Sequence, residues 1–357
     1  MLRAEILDRV ARRETVANRD LSAINLSGAD LSGGRFESVN FTGADFSGAH
    51  LNRVGFANCD FTRASFRGIR IEKANWMGMR MPGADFTDAH LYLMLFGKSD
   101  LSGANFSGAR IHMSTLQENT LAGAIFAGAR LEQNALFKTN CAGADFTGAT
   151  MTRLAFSESD MRSLILDSAT LTKVLFRSCN FTGFNFSGLR MKVVQFDQAL
   201  LDGADFSGCS LPMCNFAGAS LKEADLRNVR LESALFFGAN LEAARLSGSS
   251  FRQSIFTEGN LACSDCRDSD FELCMFQKAS LRKANFSGSN LTNADFSYAD
   301  LSEGDFTRTR LYMAQFHKAV EEDTQYGNSK ATLLQSEDPD RAEAEAFLPK
   351  ARPRSKV

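Results

Sequence analysis

The sequence predicts an all-β solenoid, a rod of short stacked strands rather than a globular domain. Three observations carry this. An apolar residue recurs at every fifth position from Leu21 to Phe316 without a slip, the residue two places before it is usually small, and turn-forming residues fill the gaps. The composition agrees: 31 Phe and 27 Gly beside five Pro and one Trp is a skew that ordinary domains lack, and it points to repetition.

The apolar series opens with Leu21, Leu26, Leu31, Phe36, Phe41 and Phe46 and runs for 60 units, and every centre is Leu, Phe, Ile, Met or Trp except Cys141 and Cys266. Ala29, Ala44, Ala84, Ala104, Ala144, Ala204, Ala224 and Ala284 illustrate the small site, and Ala44-Asp45-Phe46-Ser47-Gly48 a full unit. One large and one small inward residue per five, followed by a turn pair, describes a short strand and a corner. A helix is excluded, because five residues advance roughly 500° around it and would scatter the Phe over every side.

Units such as Ala29-Asp30-Leu31-Ser32-Gly33 and Ala144-Asp145-Phe146-Thr147-Gly148 resemble the A(D/N)LXX motif of the pentapeptide-repeat family, over about residues 20–320. The resemblance implies a right-handed quadrilateral β-helix with four pentapeptides per coil. The sequence carries its own check on an even number of sides. Sorted at a 20-residue step, 22 of 30 centres on two alternate faces are Phe, against five of 30 on the other two. Fifteen coils at the ~4.8 Å strand spacing make a rod roughly 70 Å long.

The ends of such a stack need covers. Residues 1–19 supply one, a capping helix over 2–16 with Leu2, Ile6, Leu7 and Val10 on one face. The repeat occupies 20–319. Residues 320–357 are expected to form a polar connector, a short helix over Arg341 to Leu348 after Asp338-Pro339, and a basic tail of Lys350, Arg352, Arg354 and Lys356.

Charge and hydropathy narrow the function. The net charge is −2, and the repeat carries −1 of it, so the concentrated cationic footprint of a nucleic-acid binder is missing. No apolar run reaches 18 residues, and the first twenty carry nine charges, which reads as a soluble cytoplasmic protein without a signal peptide. Seven of the eight Cys fall at inward positions (Cys59, Cys179, Cys209, Cys214 and Cys274 at the small site, Cys141 and Cys266 at the centre) and read as core residues. Cys263 points outward and Cys266 inward, so the pair is a poor metal site. His50, His90, His112 and His317 fall in no catalytic motif, and no phosphate-binding loop or nucleophile elbow is present. A convex rod is expected to lack a concave pocket. The expectation is a protein with no catalytic, cofactor or metal site.

Departures from the motif single out one face. In the residue before its centres, where Asp or Asn is usual, stand His50, Arg70, His90, Arg110, Arg130, Arg190, Arg230 and Arg310. Neighbours in that column lie ~5 Å apart and repel, so they need either local acids or an anionic partner, an acidic protein before all else. Around the next corner, outward positions turn apolar: Leu93, Leu95, Met113, Leu175, Val193, Met213, Leu235, Ile255, Leu273, Met275, Tyr312 and Met313. An apolar stripe along one edge of a rod reads as an interface with a protein or with a second copy of the chain.

The reading is therefore a non-enzymatic scaffold that binds protein along this face. The flanks, the opening helix running into Asp20-Leu21-Ser22 and the close at Phe316-His317-Lys318-Ala319, resemble pentapeptide-repeat proteins of bacterial type VI secretion loci. That resemblance implies a cytoplasmic adaptor or chaperone of an effector or spike component. Similarity to topoisomerase-protecting DNA mimics implies a rival role on gyrase, but mimicry needs strongly anionic faces. A secreted, host-targeted effector is the other rival.

Overall fold

The computed structural model describes residues 2–332 together with Glu343. Its organising fact is a constant register: residues pair in parallel with those 20 positions on, from Thr15↔Arg35 to Asp305↔Gln325. Four such columns of pairing run along the chain, one per pentapeptide of each turn, as in Asp20↔Asn40, Asn25↔Asp45, Asp30↔His50 and Arg35↔Gly55. The product is a parallel β-solenoid preceded by a short helix.

Each centre faces inward, and the Phe stack on themselves from turn to turn. Phe86, Phe106, Phe126 and Phe146 follow one another with ring centroids 4.5–4.8 Å apart and planes within 4°. Burial of such rings drives the fold, each contributing about 1.5–3 kcal/mol against the entropy of ordering the chain.

Two kinds of corner turn the chain. At most, the small residue's N–H returns to the preceding centre, as Ala29 N–H does to Leu26 O at 3.0 Å. The residue before it takes a left-handed backbone, which Gly48 adopts at φ +64° without strain. On two faces between Arg70 and Lys192 the corners are instead flanked by three-residue strands, which form a seven-stranded and a six-stranded parallel sheet. There the turn bond is lost, and the orphaned N–H finds a buried side chain one turn on. Met79 N–H donates to Ser99 Oγ (3.1 Å) and Ser99 N–H to Asn119 Oδ1 (2.9 Å). The small site thus does more than admit a small side chain. Where this ladder runs, the site also supplies an acceptor, whereas Leu154 and Val174 fill the same kind of site without one.

Two sequence boundaries are corrected. The helix spans Leu2–Ala11, not 2–16, because Val16 is already a buried centre within the strand Thr15–Ala17. Ile6 and Val10 are buried, Leu7 packs partly against the core, and Leu2 is 46% exposed because it precedes the covered turns. The phase does not end at Phe316: Val320 and Gln325 still pair, and Tyr326 is a buried centre, so polar centres such as Glu321 had hidden the last units. The helix over Arg341 to Leu348 and the basic tail lie outside the described residues, apart from helical Glu343.

Among the described residues the pairing lapses at four steps: Gly55 to Asn75, Asn140 to Asp160, Ile165 to Asn185 and Arg190 to Ser210. Asp145↔Ile165 and Asn185↔Asp205 bridge, but Ile165 and Asn185 do not. Bulky Leu164, Phe184 and Leu189 occupy small sites here and hold the two turns apart over a cleft of about 350 Å³.

Candidate docking face

The parallel register that builds the seven-stranded sheet also builds the basic row. Arg70↔His90, His90↔Arg110 and Arg110↔Arg130 are direct partners, with Ile71, Leu91, Ile111 and Leu131 buried behind them. His50 extends the row by a bridge to Arg70. Beyond Arg130 it thins, because Thr150 and Thr170 precede Arg190, and Arg230 and Arg310 stand apart in a column that runs Ser210, Arg230, Ser250, Asp270, Asn290, Arg310.

Local acids do not neutralise this row. Among the described residues, Arg70, Arg110, Arg130, Arg190, Arg230 and Arg310 form no ion pair, although each is exposed. The reason is visible at equivalent positions on other faces. Arg80 reaches Asp60 one turn earlier (Nε to Oδ2, 3.0 Å), and Arg245 likewise reaches Asp225 (3.1 Å). One turn before each of these six Arg stands His, Arg, Thr, Ser or Asn, and Asp30 lies instead beside His50 at the start of the column. Burial, then the flanking Arg110 and Arg70, hold the His90 imidazole below its ordinary pKa, so the field of the row acts on its own member.

The flank of the row is structured as well. Tyr92 and His112 stack at 5.5 Å, and His112 Nδ1 lies 3.7 Å from Glu132 Oε2, which also faces Arg153 Nη1 at 3.7 Å. Glu132 is thus engaged away from Arg130.

The apolar edge divides in two. Met113, Met213, Leu273, Met275, Tyr312 and Met313 are exposed, while Leu93, Leu95, Leu175, Val193, Leu235 and Ile255 are half-buried. Leu235↔Ile255↔Met275 form a continuous ladder. The backbone adds a second signal. Leu93, Met113, Val193, Met213, Leu273 and Met313 all have φ between +50° and +61°, and among the described residues no Leu, Met or Val elsewhere has a left-handed backbone. Such a residue costs about 1–2 kcal/mol over Gly, and at an exposed corner little burial offsets it.

Sequence reasoning missed Met77 and Phe237, 42% and 45% exposed, which follow the centres of the face beside this edge. The signal was an apolar residue where Ser or Thr is usual. With them, every exposed Met among the described residues lies along this edge; Ile125, Ile165, Leu200 and Val320 are exposed singly on other faces.

The expectation of no concavity is corrected too. A shallow polar groove of about 550 Å³ lies beside Arg230 and Arg310, lined by Asn228, Gly248, Asp268 and Gly288 among others. Its cause is the alternation of long and absent side chains: the Oδ1 atoms of Asn228 and Asp268 reach into the space where a Cβ on Gly248 or Gly288 would stand.

Among the described residues no group of three or more His, Cys, Asp or Glu is placed to hold a metal ion. Cys263 is exposed and Cys266 buried, as their register requires. Burial pushes the thiols of Cys141, Cys179, Cys214 and Cys266 up to about 12 and that of Cys209 to about 11, which suppresses the reactive thiolate. A soluble alkylating reagent applied to the native protein is therefore expected to label Cys263 alone rapidly, and all eight Cys after unfolding. Mass spectrometry that finds a second fast site would contradict the packing. No helix among the described residues is long and apolar enough to cross a membrane.

Comparison with known proteins bears on the repeat. The family described as "Pentapeptide repeats (8 copies)" matches residues 20–56, 120–153, 199–236, 234–272, 269–308 and 289–320, and that described as "Pentapeptide repeat region" matches 49–126. Comparison with curated protein sequences returns no match. Among solved structures, trypsin-treated QnrB1, a plasmid-mediated fluoroquinolone resistance protein, is 18% identical with a TM-score of 0.31, covering 61% of this chain and 99% of its own. HetL, a pentapeptide repeat protein involved in heterocyst differentiation regulation in the cyanobacterium Nostoc, is 22% identical with a TM-score of 0.19, covering 75% and 93%. A pentapeptide repeat protein of the Arabidopsis thaliana thylakoid lumen is 28% identical with a TM-score of 0.16, covering 31% and 70%. With its repeat matched over more than half its length and its turns in register at a 20-residue step, the chain belongs to the pentapeptide-repeat family.

Proposed function

We propose that the chain is a non-enzymatic docking scaffold of the bacterial cytoplasm that binds a protein partner along the apolar edge and the adjoining basic row. The observation that carries this is the run of Leu, Met and Val in left-handed backbone at one corner only. Folding alone favours Gly or Asn there, so their presence is best accounted for by burial against something else. The exposed Met add a surface that repacks to fit its partner. The finer role, adaptor or chaperone to a type VI secretion effector or spike component, rests on the flanking segments alone.

A DNA-mimic role on gyrase fits less well, because a mimic presents ordered anions and this face presents unpaired Arg. A gyrase supercoiling assay with added protein checks that directly, and protection of the enzyme would count for the mimic. The docking reading is tested by affinity purification from the native organism with wild type and with Leu235→Ser, Met275→Ser. The expected result is a stoichiometric partner lost from the double variant, with unchanged circular dichroism. Equal recovery by both forms, or no partner at all, would sink it.

A further inference from the structure

The basic row has a pitch, and the pitch selects an occupant. Four in-register residues, Arg70, His90, Arg110 and Arg130, are spaced by the inter-strand distance of ~4.8 Å, so the row spans ~14 Å along the rod. An extended peptide places same-side residues roughly 6.7 Å apart and would drift to ~20 Å over three steps. An α-helix repeats a face every ~5.4 Å and reaches ~16 Å, close enough for flexible Arg side chains to follow.

A second distance agrees. From the basic row to the corner bearing Leu93 and Met113 is three residues along each strand, about 10 Å, which matches the ~10–12 Å width of a helix. A nucleic acid fits poorly, because the repeat as a whole carries a net charge of −1 and this row offers a short line of Arg, not the extended cationic footprint that phosphates require.

Resting on the docking reading above, we infer that this stretch of the face receives an amphipathic α-helix of the partner, lying along the rod axis. Its acidic stripe meets the unpaired Arg row and its adjoining apolar stripe meets Leu93 and Met113. The helix carries acids at i, i+4, i+7 and i+11. The chemistry is that of desolvated Arg–carboxylate pairs beside a small apolar contact, so specificity resides in the pattern of acids rather than in their number.

The test uses the full chain and a synthetic probe, a fluorescein-labelled, Ala-based helical peptide with Glu at that spacing and Leu on the neighbouring stripe. Its control is an isomer of the same composition in shuffled order. Fluorescence anisotropy is expected to show the patterned peptide binding about tenfold more tightly than the shuffled one. Arg110→Glu with Arg130→Glu should remove that difference, while Arg63→Glu on another face should leave it in place. Thermal melting by circular dichroism checks that each variant is folded. Equal binding of the two peptides, survival of the preference in the double variant, or displacement by single-stranded DNA as effective as by unlabelled peptide would overturn the inference. Because the edge variants test docking independently, a failure here with partner loss there rejects the helix and retains the scaffold.

Discussion

Replacing Ile6 and Val10 together by Asp is expected to open the N-terminal end of the rod and render the protein prone to aggregate. Both side chains are buried, at 2% and 6% exposure, and Val10 packs on Gly34, where an added Cβ would stand 3.2 Å from Val10 Cγ2. Arg3 Nη2 ties the helix to the first turn through Ser27 O at 2.9 Å. Loss of the two apolar contacts removes about 3–6 kcal/mol, and burying two carboxylates would cost more, so the helix should detach rather than adapt. What it leaves is a strand edge: Thr15–Ala17 pairs with Arg35–Glu37 on one side only. An exposed parallel edge above an apolar core is a template for association. Light scattering after size exclusion should show oligomers growing with concentration, and hydrogen exchange should rise first in the turns nearest Thr15, since a repeat stack loses stability locally. A monodisperse variant with wild-type exchange would show that the helix is dispensable as a cover.

The second large effect is expected from one buried amide. Asn119, 2% exposed, accepts the Ser99 N–H at Oδ1 (2.9 Å) and donates through Nδ2 to Phe96 O (3.0 Å). Asn119→Val puts an apolar side chain of modest size in its place and leaves a backbone donor and a backbone acceptor without partners inside the rod. Each such group costs about 1–3 kcal/mol, so the variant should lose about 2–6 kcal/mol in the affected segment. Asn119→Ser should recover much of this, because Ser159 at the corresponding site two turns on accepts the Thr139 N–H at 3.2 Å and donates to Ser157 O at 3.0 Å. Denaturant unfolding together with exchange at the Ser99 amide separates the cases. A valine variant as stable as the serine variant would remove the polar ladder from the energetics.

These two effects mark where sequence reading stopped. The five-residue period announced the solenoid, because a core one side chain wide must repeat an inward residue at a fixed step, and Phe alternating with Leu at period ten announced an even number of sides. The basic column and most of the apolar edge were legible for the same reason: a fixed step converts position in the chain into position on a face. The Val16, Glu321 and Tyr326 units were not, since the motif is diluted where end units face a cap or solvent. Nothing in the five-residue motif singles out Ser99, Asn119 and Asn134. Only the pairing shows that at these corners the backbone N–H gives up its turn bond for a side-chain acceptor one turn away.

By itself, then, the sequence determined the periodic frame and which side chains share a face, because both follow from counting. The tertiary structure decided which departures carry a cost and which are answered. Arg80 and Arg245 are answered by an Asp from the previous turn, while Arg110 and Arg130 meet only each other. Met113 and Met213 stand in a backbone that glycine would occupy more cheaply. Such facts depend on neighbours 20 residues away and on the sign of a dihedral angle, which stacking fixes and counting does not.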